Sequence, residues 1–545
     1  MTTPLVSVVI PVHNAMPYLL KGLQSVVDQT IGVENLEIIA VDDGSTDGSG
    51  EALDKFALDH RDLLRVVHQE ASGTPSAPRN LAMDMARGRY IQFLDADDYL
   101  GAEALERMVA VAEAQGSDVV LGKLVSVGGR RVAGSMFDRD QPRADLYSSR
   151  VYWSLGAWKL YRRELLDRHG LRFRTDRRTG EDRPFVFLSY FHARNISVVA
   201  EYDCYYMVQR DDGGNLTLGG MGAPKDRSFN NESPLEMMVP LVGATVPAGL
   251  GRDHLLFRHW EVEGEIEFRI IANDRSRERQ EARLQQLRAL LEEWYSPRGT
   301  KHLKAHMHLL YHLVRTATLD EVLLAHRHRD SVPLVGRAGR LYAVLPGHED
   351  QAGPGPGPWV DVTDISRPEH WLDGVEAEGT ALRLNGSCWF RKIPNDRVEL
   401  RLELRHRRNG QVKPFPLEHE NGRFGTELDL CRDLGPIDRA KGTWDIELVA
   451  AVGDFERRVP FGSSLGAPMR GKPVPLHRLD IPHQPPRTIP ATQYFTAVKS
   501  HLALQVGGKR VRQGAGGHSR LRQEIGARLK LRQRLGKVKR RLLRR

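Results

Sequence analysis

Four short apolar runs, each closed by polar turn residues and separated by stretches of helix length, constrain the fold of this chain more than any other feature. They occupy 5–12, 36–41, 89–94 and 118–121. They are too short for helices and read as strands buried within a sheet. The stretches 17–29, 48–59, 77–87 and 102–115 read as helices. Strands alternating with helices of this length predict an α/β fold with a largely parallel sheet. In such sheets ligands bind outside the carboxyl ends of the strands. Pro11, Asp43, Asp95 and Asp97 close three of the runs, so they are expected to share one crevice.

The third run ends most abruptly, in Phe93-Leu-Asp-Ala-Asp-Asp-Tyr99. Carboxylates gathered at the end of a buried strand repel one another unless a cation lies among them. Mg²⁺ and Mn²⁺ take oxygen ligands, typically one or two carboxylates with substrate phosphates completing the set. Asp95 and Asp97 thus mark a candidate metal–phosphate site, and Asp98 reads as the start of the next helix. The plainer alternative for the same acids is a solvated turn before a helix N-terminus.

The 545 residues suffice for about three or four domains. Residues 1–224 hold the α/β pattern. Residues 225–345 turn helical, with Leu284, Leu287, Leu291 and Trp294, and again Leu303, Met307, Leu310 and Val314, at helical spacing. His302, His306, His308 and His312 fall on the same stretch and read as a solvated face, since a hydrolytic zinc motif would need a Glu that is missing. The Gly/Pro-rich segment 346–358 reads as a linker. Strict alternation at 398–405 and the Asn409-Gly410 turn signal open a set of strands, so 359–465 is expected to be a small immunoglobulin-like β-sandwich. A Pro-rich segment, 466–500, leads to a basic tail, 501–545.

The net charge of +9 is unevenly distributed. The tail carries +14, and subtracting that from the total leaves −5 for the body. An acidic body argues against specific nucleic-acid binding. The tail suits peripheral contact with anionic lipid or a polyanionic polymer, or is merely a solubilising segment. The three cysteines, Cys204, Cys388 and Cys431, have no short spacing, which suggests a reducing compartment. No signal-peptide pattern opens the chain, and no apolar stretch approaches the roughly 20 residues of a membrane-spanning helix.

Five segments in fixed order resemble glycosyltransferase family 2, the GT-A nucleotide-diphospho-sugar transferases. They are Val8-Val-Ile-Pro-Val-His-Asn14, Val41-Asp-Asp-Gly-Ser-Thr-Asp47, Pro78-Arg-Asn80, the acidic turn at 93–99, and Glu181-Asp182. Within that family the chain is most similar to the wall teichoic acid, poly(ribitol-phosphate), glycosyltransferases, which add a helical linker and a β domain that mediates oligomerisation. The resemblance implies an inverting, metal-dependent transferase that moves a hexose or N-acetylhexosamine from a UDP-sugar to a hydroxyl of an anionic or polyol cell-surface polymer. It also implies a homo-oligomer at the cytoplasmic face of a bacterial membrane.

The resemblance assigns roles residue by residue. Pro11 and Asp43 would bind uridine. Arg79, just before the continuous part of the third helical stretch at 81–87, would bind the nucleotide. Asp97 would ligate Mn²⁺ or Mg²⁺, with Asp95 on the ribose or the metal shell. Asp182 would be the general base and Glu181 a substrate contact, although adjacent acids also serve as helix caps. Arg210, Asn215 and Thr217 would close over the diphosphate, and Trp153 would lie beside the donor sugar. Two departures are visible. Glu70-Ala71 stand where the family often has an Asn, and Asn215 and Thr217 where it often has His or Ser.

Alternatives remain open at this level. The same chemistry could build a capsule, an exopolysaccharide or a glycolipid. A non-catalytic polymer-binding scaffold could retain the same shell.

Overall fold

The computed structural model describes residues 3–506 except 131, 216–231, 354, 356, 379, 391–397, 435–441, 463, 465–477, 484–486 and 496–501. The chain divides into two compact units, Met1–Thr300 and Lys301–Arg545.

The first unit is built on one sheet of nine strands: β1 (Val6–Val12), β2 (Leu36–Asp43), β3 (Leu64–Gln69), β4 (Tyr90–Phe93), β5 (Tyr99–Leu100), β6 (Val119–Val127), β7 (Gln141–Ala144), β8 (Leu160–Arg162) and β9 (Ile196–Val208). Six helices accompany them: α1 (Leu19–Val27), α2 (Ser49–Asp59), α3 (Ser76–Met85), α4 (Ala104–Gln115), α5 (Arg163–Arg168) and α6 (Asp182–His192). The strand order is β3-β2-β1-β4-β8-β6-β9-β5, with β7 also pairing β9. The β3-β2-β1-β4 half is parallel. The other half is mixed, because β8 runs antiparallel to both β4 and β6. The sheet is therefore less uniformly parallel than the alternating pattern predicts. β8, of three residues, is too short to register as a hydrophobic run.

Burial on both faces explains the apolar runs. Val6, Val8, Val9 and Ile10 on β1 are essentially inaccessible, as are Ile38, Ile39, Ala40 and Val41 on β2. Each such aliphatic side chain contributes roughly 1.5–3 kcal/mol when fully buried. Leu19, Leu23 and Val26 form the buried stripe of α1 against this layer. The helices Pro234–Thr245, Leu250–Asn273 and Arg277–Trp294 complete the unit. The first carries a capping box, Ser233 with Glu236.

The second unit opens with helices Ala305–Thr316 and Leu319–Arg327. A three-stranded sheet follows, formed by Leu334–Arg337, Arg340–Val344 and Trp359–Asp361. Two of its strands fall inside the stretch expected to be helical. The Gly/Pro-rich segment 346–358 joins adjacent antiparallel strands of this sheet, with the Trp359 indole donating to the Gly353 carbonyl at 2.6 Å. A connection needs no ladder N–H groups, so Pro and Gly serve it as well as they serve an interdomain linker. His312 donates to the Gly357 carbonyl at 2.8 Å, so that histidine is not simply solvated.

Farther on lie a three-stranded sheet, Pro368–Glu378, Ala381–Phe390 and Arg423–Asp429, and a seven-stranded one centred on Glu399–His406 and Gly442–Val452. Aromatic contacts from Phe390 to Phe455 and from Phe424 to Phe461 join them. The larger sheet also includes Arg478–His483 and Arg487–Phe495, which occupy the segment read as merely Pro-rich. The tail beyond residue 506 lies outside the described residues.

Candidate active site

Each of the first three strands delivers side chains at its carboxyl end. On β1, half-buried Pro11 pairs in register with Val41. Just beyond, His13 Nδ1 lies 2.8 Å from the Asp43 carbonyl, and Asn14 bridges to Ser45 and Thr46. Asp43, the last residue of β2, is buried. Its Oδ1 accepts from Gln69 Nε2 at 2.5 Å and from the Ser72 N–H at 2.9 Å, and its Oδ2 accepts from the Ser72 hydroxyl at 2.8 Å. The loop after β3 thus orients this carboxylate through Ser72, a residue the sequence reading passed over.

Arg79 lies inside α3, which begins at Ser76, not in front of a helix starting at 81. Pro78 is accommodated in the first turn, where its missing N–H costs nothing. Arg79 is buried, and its two terminal nitrogens reach different carboxylates. Nη2 donates to Asp95 Oδ1 at 2.7 Å and Nη1 to Glu181 Oε1 at 2.8 Å. These acids hold the guanidinium firmly protonated against the effect of burial. Glu181 gains less from the pair than it loses elsewhere. Burial, and then the neighbouring Asp182, push its carboxyl up to about 7, while Arg79 pulls the other way. Glu181 precedes α6 but makes no capping hydrogen bond, so its side chain serves Arg79 rather than the helix end. Asp182 is the first residue of α6 and is partly exposed. Gly180 before it has φ +77°, a conformation that favours glycine and turns the chain into the helix.

The acidic turn after β4 holds three different environments. The Asp95 N–H donates to the Tyr205 hydroxyl at 3.1 Å. Asp97 is pushed upward by burial and then by Asp95, and its Oδ2 accepts from Asn215 Nδ2 at 2.8 Å. Asp98 does not start a helix, because α4 begins only at Ala104. Its side chain turns inward, accepts from the Val208 N–H at 2.8 Å, and lies 3.6 Å from Arg130. Burial, then Asp97 and Asp95, raise it well above the ordinary carboxylate range. Its role is to fasten the end of β9 to the turn.

Buried acids that raise one another lack positive charge, and their oxygens suit a hard divalent cation. Among the described residues no three His, Cys, Asp or Glu side chains converge on one point. Asp97 and Asp95 could give such an ion one or two carboxylates with substrate oxygens completing the set, a donor chemistry that suits Mg²⁺ or Mn²⁺.

Asn215 closes the arrangement, since its Oδ1 accepts from the Arg210 N–H at 2.8 Å while its amide holds Asp97. Arg210 grips Asp212 with two nitrogens, at 3.0 and 2.6 Å, and donates to the Asn14 carbonyl at 2.9 Å. Thr217 lies outside the described residues. Trp153 lies between β7 and β8. It sits in a short 3₁₀ turn and meets the Phe257 ring edge-on at 6.1 Å. The sequence reading also missed Arg130 and Lys159, single basic residues without a motif around them.

Residues 7–176 match the family model described as Glycosyl transferase family 2. A poly(ribitol-phosphate) beta-glucosyltransferase of Bacillus spizizenii is 41% identical over 206 residues, 38% of this chain and 32% of its own. The chain spans about a third of the length of the first curated relatives it matches. The crystal structure of Staphylococcus aureus TarS superposes with a TM-score of 0.69 at 22% identity, covering 93% of this chain and 86% of that one, and so shows the fold. A shorter TarS structure, in complex with UDP-GlcNAc, gives a TM-score of 0.52 at 26% identity over 63% of this chain and 98% of its own.

Proposed function

We propose, from a chain whose residues 7–176 form a glycosyl transferase family 2 domain, that it moves a hexose or N-acetylhexosamine from a UDP-sugar to a hydroxyl of a polyol-phosphate cell-surface polymer. The observation that carries this reading is the link Asp95–Arg79–Glu181, which ties the acidic turn after β4 to the start of α6. One end of that link is suited to a diphosphate and its cation. The other presents a partly exposed carboxylate, Asp182.

Asp43, oriented by Gln69 and Ser72, and Pro11 form the uridine end of the site. Asp97 would ligate the cation, Mn²⁺ or Mg²⁺, with Asp95 on the ribose or the metal shell, and the ion would supply positive charge to the departing diphosphate. Arg210 and Asn215 close over the same region. Asp182 takes the proton from the acceptor hydroxyl as it attacks the anomeric carbon from the face opposite UDP, which inverts the configuration. The polymer class is supported by the names of the relatives, and the uridine nucleotide by the ligand of the shorter TarS structure. The basic tail supports peripheral contact with an anionic membrane surface, and the β-rich second unit is the candidate for self-association.

The test is transfer from UDP-sugars to poly(ribitol phosphate), measured with Mn²⁺ and with Mg²⁺. Asp182→Asn should retain UDP binding and lose about 10²–10⁴-fold in turnover, the usual worth of a general base. Asp97→Asn should lose both cation-dependent UDP binding and turnover. Near-normal transfer by either variant sinks the assignment.

A further inference from the structure

Glu181 and Asp182 are reached through an arginine-rich loop, Arg174 to Gly180, to which the site reading gives no task. Asn80 of α3 holds both backbone groups of Phe173 at the entrance to this loop. The Phe173 N–H donates to Asn80 Oδ1 at 2.9 Å, and its carbonyl accepts from Asn80 Nδ2 at 2.8 Å. Farther on, the Arg177 carbonyl accepts from the Thr74 hydroxyl at 2.7 Å. Thr74 lies two residues from Ser72, which orients Asp43. The loop is thus fastened to the nucleotide end of the site and leads directly into the helix that presents Asp182.

Its cations are unequally used. Arg174 forks onto Asp176 at 2.9 and 2.6 Å and reaches Glu232 at 3.2 Å. Arg177 is 5% exposed; its Nη1 shares Glu232 at 3.4 Å, and its Nε has no acceptor. Arg183, just past the candidate base, is drawn to buried Glu263 at 3.3 Å. Arg178 is exposed and, among the described residues, has no hydrogen-bond or ion-pair partner. Four residues separate it from Asp182, so the two backbones lie within about 14 Å. The turn at Gly180, φ +77°, shortens that path. A free guanidinium fork suits a phosphate, whose oxygens it can meet in pairs. In a polyol phosphate every hydroxyl is a few bonds from a phosphodiester. A hydroxyl delivered to Asp182 therefore brings such an anion toward this loop.

We propose that Arg178 binds a phosphodiester of the acceptor next to the hydroxyl that receives the sugar, with Arg177 adding positive charge to the same loop. The inference rests on the reading of Asp182 as the general base and of the acceptor as a polyol phosphate. It gives the acceptor end of the site a cation of its own. The acidic turn at 95–98 could not serve an anionic polymer in this way, since its carboxylates would repel it.

The experiment is steady-state sugar transfer to poly(ribitol phosphate) by the full chain, with Arg178→Gln, Arg178→Lys and Arg172→Gln beside the wild type. Calorimetric UDP binding checks that each variant is folded and its donor end intact. Arg178→Gln should raise KM for the polymer about tenfold, the worth of one charge-assisted contact, and change kcat much less. Arg178→Lys keeps the charge and should raise KM less. Arg172 is also exposed but is bonded to Asp84 at 2.8 Å. Arg172→Gln removes an equal charge nearby and should leave KM within about twofold of the wild type. An unchanged KM in Arg178→Gln overturns the inference. So does an equal rise in Arg172→Gln, which would mark a general field in place of a site. A wild type that glycosylates a neutral oligosaccharide but not poly(ribitol phosphate) overturns the polymer class and this inference together. A wild type active on the polymer, with Arg178→Gln equally good, overturns this inference alone.

Discussion

Glu181→Gln should make the protein more stable at alkaline pH although it deletes half of a buried ion pair. The Glu181 carboxyl is pushed up to about 7 from an ordinary 4.5, mainly by burial and then by Asp182. Between those values the native state binds more protons than the unfolded chain, so this group's contribution to stability is complete below about 4.5. It is lost as pH rises toward 7 and stays lost above. A shift of that size is worth up to about 3 kcal/mol. Glutamine never ionises, and its carbonyl oxygen can still accept from Arg79 Nη1, which now sits 2.8 Å from Glu181 Oε1. Arg79 keeps Asp95 as its counter-ion at 2.7 Å. The stability gap between variant and wild type should therefore widen by about 2–3 kcal/mol from pH 5 to pH 8. Thermal unfolding followed by calorimetry across that range should show the variant gaining on the order of 5 °C relative to the wild type. Parallel curves, or a variant that loses ground as pH rises, would show that Arg79 dominates Glu181 and refute the reasoning.

Substitutions at two further positions test the supports of the site. Glu263 is wholly buried and receives Arg258 at 2.7 Å, His259 at 3.1 Å and Arg183 at 3.3 Å. Glu263→Leu strands those groups and should cost about 3–5 kcal/mol in urea unfolding; a loss below 1 kcal/mol would show the cluster to be dispensable. Asp98→Asn preserves an acceptor for the Val208 N–H and removes a charge the site already resists, so it should cost about 1 kcal/mol or less. Asp98→Leu removes the acceptor too, and its melting temperature should fall clearly below that of Asp98→Asn.

The sheet was legible because its strands announce themselves locally. Val6, Val8, Val9 and Ile10, and Ile38 to Val41, put apolar side chains on both faces because both faces are buried. Asp43 ends β2, and Asp95 and Asp97 follow β4, at the carboxyl ends the sequence pattern assigns them. Other features depend on partners far along the chain, which local pattern does not encode. Asn215 meets Asp97 across 118 residues, and Arg79 meets Glu181 across 102. Trp153 meets Phe257, a partner 104 positions along the chain that no local pattern announces. Lys159 and Glu263 look like surface residues until the fold buries them. The strands Leu334–Arg337 and Arg340–Val344 are too short to outweigh the helical spacing before them.

Charge balance ties these observations together. Asp95, Asp97, Asp98, Glu181 and Asp182 bring five carboxyls to the strand ends and the adjoining helix, against Arg79, Arg130, Lys159 and Arg210, the last shared with Asp212. Three of those acids, Asp97, Asp98 and Glu181, are raised from their ordinary values chiefly by burial. Such a cluster resists full ionisation, because burial and mutual repulsion both favour the protonated forms of these three acids. A divalent cation at these carboxyls would supply the missing charge and favour their ionised forms. A diphosphate arriving without that cation would add negative charge where it is already in excess. If a cation and a nucleotide bind here as proposed, their binding would be coupled through the same few carboxyls.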